Sequence, residues 1–212
     1  MNSQTKQFLW IGIFLAVLIW SGIKPADYLT WILEVFPALL AGAILFFTRI
    51  SFPLTPLTYN LILVHCIILM VGGHYTYADV PLFDWLAGIF DLQRNNYDKL
   101  GHFAQGFVPA IVARELTIRK NVFNSSRWRN FFIVCFCLGF SAFYELIEWW
   151  VALLSSEAAA SFLGTQGYIW DTQSDMAWAL AGALVALISL SGPHSRQLAD
   201  HHVKTQPKLK PE

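Results

Sequence analysis

The chain has 212 residues, of which 56% are hydrophobic and only 13% charged. A soluble domain carries about 25% charged residues, so composition excludes a water-facing surface over much of the molecule and requires lipid in its place. Acidic and basic residues balance at 14 each, and a neutral total also argues against a nucleic-acid-binding surface.

A helix that crosses a bilayer needs about 20 mainly apolar residues. The first such stretch, 8–23, follows Lys6 and leaves through Ser21-Gly22-Ile23-Lys24-Pro25 without a small-x-small cleavage site. It reads as a retained anchor, not a signal peptide. The second, 29–47, contains Glu34 and Pro37; neighbouring helices can satisfy the carbonyl that a proline frees. The third, 58–73, carries His65 in mid-span, where a hydrogen-bonded packing role is expected. Residues 80–92 are too few to cross. Asp84, Gly88, Asp91 and Asn95 fall on one helical side, with Leu82, Phe83, Trp85, Leu86, Ile89 and Phe90 on the others, which predicts a helix lying in the membrane interface.

The fourth span, 100–118, is the least apolar, since it holds His102, Gln105, Arg114 and Glu115. Polar groups along one face place such a helix inside a bundle instead of against lipid. The fifth span covers 130–154. The sixth, 172–191, pairs Ala179 with Ala183 and Gly182 with Ala186, a small-xxx-small spacing that lets helices approach closely. The expected fold is therefore all-α: a polytopic membrane protein of about six transmembrane helices, with an interfacial helix between spans 3 and 4. Residues 1–192 form one domain, and 193–212 read as a polar, disordered tail in which His194, His201 and His202 are solvated. Cys66, Cys135 and Cys137 all sit within apolar runs and read as packed thiols, not as a disulfide framework.

Lysine and arginine set the orientation. Six spans put Lys6, Arg49, Arg114, Arg119, Lys120, Arg127, Arg129, Arg196, Lys204, Lys208 and Lys210 on one side, against Lys24, Arg94 and Lys99 on the other. The positive-inside rule then predicts two cytoplasmic termini. Tyr28, Trp31, Tyr75, Tyr97, Trp149, Trp150, Tyr168 and Trp170 fall near the outer interface, as an aromatic belt would.

That topology gathers the acids. Asp98 opens span 4, Glu145 and Glu148 end span 5, and Asp171 and Asp175 open span 6, so all three ends meet on the outer side. Asp98 with His102, Glu145 with Glu148, and Asp171 with Asp175 are three or four residues apart, and each pair shares a helix face. Glu34 and His74 lie at similar depth. Capping of helix starts would account for Asp98 and Asp171 on their own, and Asp27 and Glu157 read as solvated loop charges. His102, Glu145, Glu148 and Asp175 have no such account inside apolar helices, where an ionised group costs several kcal/mol unless paired. Lys99 and Arg94 are too few to neutralise five carboxylates. Either protons or a bound cation must do so, and carboxylates with one imidazole suit Mg²⁺, Mn²⁺, Fe²⁺ or Zn²⁺.

The strings Tyr97-Asp98-Lys99-Leu100-Gly101-His102-Phe103, Tyr144-Glu145-Leu146-Ile147-Glu148-Trp149 and Trp170-Asp171-Thr172-Gln173-Ser174-Asp175-Met176 resemble the YjdF-like family over nearly the whole chain. The resemblance implies a multi-pass protein of the bacterial inner membrane and carries no activity. A looser similarity to VanZ-like proteins rests on an Asp-Lys-x-x-His-type segment followed by Glu-bearing and Asp-rich helices, but the acids are arranged differently here and no mechanism transfers.

Three functions fit this pattern. The first is a metal-dependent membrane enzyme acting on a lipid or envelope precursor at the outer leaflet, with His102, Glu145, Glu148 and Asp175 as metal ligands and Asp98 and Asp171 as catalytic or supporting carboxylates. The second is a cation- or proton-coupled transporter, and the third an accessory protein whose polar cluster only joins helices. A transporter needs a polar route to the cytoplasm. The inner halves of spans 4–6 read as nearly free of ionisable groups, which favours the enzyme.

Overall fold

A computed structural model describes residues 3–154 and 166–205. Seven α-helices make up the described chain: α1 (Ser3–Gly22), α2 (Tyr28–Thr48), α3 (Pro56–Tyr75), α4 (Pro81–Phe90), α5 (Tyr97–Arg119), α6 (Ser126–Leu154) and α7 (Asp171–Thr205), with a short 3₁₀ turn at Tyr77–Asp79. No strand occurs among the described residues. Five helices (α1, α2, α3, α6 and α7) are long and apolar enough to cross a membrane. The sixth span is α5: its 23 residues reach about 34 Å at 1.5 Å each, and its polar groups are enclosed by other helices instead of lipid. The ten-residue α4 is too short to cross and has no buried residue, as expected for an interfacial helix. The protein is polytopic and all-helical.

Local chemistry fixes several boundaries. Asp27 caps α2 by accepting the Thr30 backbone N–H at 2.7 Å, a role beyond that of the solvated loop charge expected of it. Thr55 caps α3 ahead of Pro56 at the first helical position, where a missing N–H costs nothing. Asp91 stops α4 in the left-handed conformation, with φ 51°. Proline is tolerated within three helices, at Pro37, Pro109 and Pro193. The last corrects the boundary read at 193. The helix continues to Thr205, and His194 and Leu198 are buried, because polar partners on α3 and α5 satisfy what looked like a solvated tail. Residues 206–212 and Glu157 lie outside the described residues.

The helices pack as a C. α2 packs on α3, α3 on α5, and α5 on α6, with α1 against α3 on the outside and α7 clamped to α5 and α6. The α5–α7 pair is the largest interface in the bundle. Its closeness comes from small residues: a Cβ on Gly106 would lie 1.8 Å from the Ala179 carbonyl oxygen, and one on Gly182 would lie 2.1 Å from that of Phe103. Backbone meets backbone there, which only glycine permits. The small-residue spacing in span 6 thus has the role expected of it.

Buried apolar side chains form a slab across the middle of the bundle. Ile62, Cys66 and Val108 belong to one cluster, and Ile111, Ile133, Cys137, Ala183 and Leu187 to another. The buried charged residues lie toward the two ends.

Candidate metal centre

The start of α5, the end of α6 and the start of α7 converge as the acid pairs predicted. His102 is the hub. Its Nε2 lies 3.4 Å from Asp98 Oδ1 and 3.7 Å from Glu145 Oε1. Ligand atoms of Asp98, His102 and Asp175 all lie within 4.8 Å of one another, and so do those of His102, Glu145 and Glu148. His102, Glu145, Glu148, Asp171 and Asp175 are buried, Asp175 to 2% exposure, while Asp98 is partly so.

The ring is oriented from behind. His102 Nδ1 faces Gln105 Oε1 at 3.0 Å, an i, i+3 pair on one face of α5. Nδ1 therefore carries the proton and donates, which turns the Nε2 lone pair toward the acids. Lone pair and carboxylates then face one another with no hydrogen between them, and that arrangement repels unless a proton or a metal ion lies among them. Two further atoms make the same point. Glu145 Oε1 and Asp175 Oδ1 are buried with no hydrogen-bond partner, although buried polar groups are almost always paired.

The remaining predicted residues divide. Asp171 is ion-paired with Arg94 and belongs to neither His102-centred group. Arg94 also approaches Asp98 at 4.0 Å, so its charge is shared between two acids. Asp98 is the second residue of α5 and not its cap, a position held by Asn96; capping does not explain it. Glu34 of α2 joins the site, accepting from the Tyr144 hydroxyl at 3.0 Å. His74 does not join: its Nδ1 is 3.0 Å from the Ser21 carbonyl oxygen and its ring packs on Trp20, tying α3 to the end of α1.

Tyr77 and Tyr144 were not singled out in the sequence. Tyr77 lies in the 3₁₀ turn, and its ring slots between α3 and α5, because a Cβ on Gly72 or Gly101 would fall 2.3 Å or 2.7 Å from it. The two glycines, one on each flanking helix, were the only signal. Both tyrosines line a cavity of about 50 Å³, together with Glu34, Asp98, His102 and Glu148. On the side of the bundle interior the cavity meets Pro37, Leu69, Phe140 and His65. The Nε2 of His65 is buried without a partner, which does not fit the satisfied packing role expected of it. The cavity occupies the open side of the C, where α2 and α6 form no extended interface and the Tyr144–Glu34 hydrogen bond spans the gap.

Residues 6–196 match the family described as "Predicted membrane protein (DUF2238)". The chain is also 52% identical over 182 residues, 86% of its own length and 87% of the relative's, to "Inner membrane protein YjdF" of Escherichia coli (strain K12). No solved structure matches it.

Proposed function

As a chain that belongs to the DUF2238 family of predicted membrane proteins, the protein inherits a location and no activity, and we propose that it is a metal-dependent membrane enzyme acting on a lipid or envelope precursor. One observation carries the reading. His102 Nε2 stands where two groups of buried acids meet, Asp98 with Asp175 and Glu145 with Glu148, and in each group one carboxylate oxygen, Asp175 Oδ1 or Glu145 Oε1, has no hydrogen-bond partner; the acids outnumber the cations. His102, Glu145, Glu148 and Asp175 would hold a divalent ion, Mg²⁺, Mn²⁺, Fe²⁺ or Zn²⁺, with Asp98 beside them. A bound ion of this kind supplies Lewis acidity or an activated water. The chain's own groups do the rest. Gln105 holds the imidazole tautomer, Arg94 positions Asp171 and Asp98, and Tyr144 with Glu34 borders the cavity. Both termini are cytoplasmic in this reading, which puts the site in the outer leaflet. The cavity's apolar edge on the open side of the C suits a substrate that arrives through the bilayer.

Cation- or proton-coupled transport is the rival. Its case is stronger than the sequence suggested, because Arg114, Glu115 and His194 form a buried polar cluster at the opposite end of α5 and α7. The inner halves of the spans are not free of ionisable groups. The slab formed by Ile62, Cys66, Val108, Ile111 and Leu187 nevertheless lies between the clusters along the helices, and that still favours the enzyme.

The test is metal binding. Purified protein is expected to contain a divalent metal by elemental analysis. Chelator should lower the melting temperature and added metal restore it, by about 2.7 kcal/mol at a hundred times Kd. Protons compete for the same lone pairs, so the increment should shrink as pH falls through about 6 to 4. Glu145→Gln and Asp175→Asn should abolish it without unfolding the protein. A melting temperature indifferent to chelator and metal, with no metal in the preparation, would refute the reading and advance the rival.

A further inference from the structure

The end of the bundle opposite the acid cluster holds a second buried group, of opposite charge. Its centre is Glu115, fully buried. Glu115 Oε1 accepts from the Thr55 backbone N–H at 2.8 Å and from Arg119 Nη1 at 3.1 Å, while Oε2 accepts from the hydroxyls of Thr55 and Thr58 at 2.8 Å and 2.6 Å. His194 Nε2 lies 3.1 Å from the same Oε2. On the far side of that ring, Arg114 Nη1 is 3.0 Å from His194 Nδ1. A guanidinium can only donate, so Nδ1 accepts and Nε2 carries the proton that goes to Glu115. Arg114 Nη2 donates to Ser195 Oγ at 2.7 Å.

Arg114 is thus held by two uncharged acceptors, and its charge is not compensated. It is 5% exposed, and its Nε is buried without a partner. Arg129, four residues into α6, is half-buried, and its Nε is also unpartnered. Arg114, five residues before the end of α5, and Arg129 stand at similar depth on two packed helices joined by a short turn. Among the described residues, no carboxylate lies within 4.0 Å of either arginine. Three guanidiniums (Arg114, Arg119 and Arg129) against the single carboxylate of Glu115 leave a local excess of two positive charges. The positive-inside rule explains why basic residues gather at this end. It does not explain why Arg114 is drawn into the bundle beside a second arginine with no anion.

We propose that Arg114 and Arg129 form a binding site for a phosphate group, carried by an anionic lipid headgroup or free in solution, where α5, α6 and α7 meet. Guanidinium forks match phosphate oxygens in pairs, with charge-assisted bonds about twice as strong as neutral ones. A phosphate monoester dianion would equal the local excess, and a phosphodiester headgroup would offset half of it. Basic pockets between membrane helices on the cytoplasmic side are where such headgroups are held. Glu115 and His194 act as positioning residues, because the fully satisfied carboxylate fixes the ring that in turn fixes Arg114. The site does not depend on the metal reading at the other end.

The test uses the full chain. One arm compares its melting temperature in phosphatidylcholine nanodiscs with that in nanodiscs containing phosphatidylglycerol. The other titrates inorganic phosphate against chloride at matched ionic strength, in detergent. A rise with phosphatidylglycerol alone assigns the site to a lipid headgroup, and a rise with inorganic phosphate assigns it to a free anion. Arg129→Gln should weaken the effective probe about tenfold, the loss of roughly one charge-assisted pair. Arg129→Lys should weaken it less, and exposed Arg127→Gln should leave it unchanged. The wild-type arms need no variant: no response to either probe overturns the proposal. So does an Arg127→Gln loss as large as that of Arg129→Gln, which would mark diffuse attraction to a basic surface.

Discussion

Glu115 and Glu145 are both buried carboxylates in the same bundle, and each has a histidine beside it. Around Glu115, two threonine hydroxyls, a backbone N–H, an arginine and His194 are arranged on the carboxylate. Around Glu145, His102 stands 3.7 Å from Oε1, and that oxygen has no hydrogen-bond partner. One group is complete and the other is not. The difference teaches that burial of an acid does not distinguish a structural tie from a site; the inventory of donors does. A carboxylate surrounded by donors holds helices together, whereas one surrounded by other acceptors calls for something from outside the chain.

The comparison breaks most visibly under one substitution made at both positions. Glu115→Gln removes the acid from a complete network and leaves Arg119 unpaired, at an expected cost of about 3 kcal/mol or more. Glu145→Gln removes a charge from an oxygen that already lacks a hydrogen-bond partner, so stability should change by less than about 1 kcal/mol. Thermal unfolding followed by tryptophan fluorescence reads both, and equal losses would erase the distinction between the two ends. The α5–α7 contact, on which both clusters depend, gives the next effect. Gly106→Ala drives a methyl into the Ala179 carbonyl and should cost about 1–3 kcal/mol. Gly139→Ala has nothing within 4 Å of the new Cβ and should be neutral or slightly stabilising, by up to about 1 kcal/mol. Parity between the two would mean that α5 and α7 do not touch at Gly106. The smallest effect sharpens the notion of a satisfied acid outside the bundle. Asp27→Ala should cost about 1 kcal/mol. The Thr30 backbone N–H holds the Asp27 carboxyl below its usual value, so its contribution is complete above the unfolded value near 4. It fades as pH falls through the lower folded value. The wild-type advantage over Asp27→Ala should therefore narrow in acid, in unfolding measured at pH 7 and at about pH 3.

Period and spacing made the outer cluster legible. Three pairs at i, i+3 or i, i+4, on helix ends that topology brings together, predict a shared cavity; ligand atoms meet in two groups that share His102, and of the six residues Asp98, His102 and Glu148 line the cavity. The ion pair of Asp171 with Arg94 was not legible, because Arg94 lies in a connecting segment whose path no periodicity reveals. The inner cluster was invisible for a related reason. His194 follows a proline in a polar stretch, and a polar helix whose groups are satisfied by distant partners has the same composition as a solvated tail. Only the fold shows that Thr55, Thr58 and Glu115 meet it. Tyr77 escaped because a three-residue turn carries no repeat, and the glycines that admit its ring belong to two different helices.

The close approach of α5 and α7, Gly106 on Ala179 and Gly182 on Phe103, has a mechanical consequence. Two rods that touch backbone to backbone over one short stretch behave as a pair of scissors, with that stretch as the rivet. From Gly106, Asp98 lies eight residues along one blade and Glu115 nine along the other, or about 12 Å and about 13.5 Å at about 1.5 Å per residue. The blades of α5 are almost equal, and α7 carries Asp175 and His194 on either side of the same rivet. Any change in the angle between the helices moves both ends together by similar amounts. A cation that draws Asp98 toward Asp175 therefore presses on the grip that Glu115 keeps on His194, with no polar route joining the two ends.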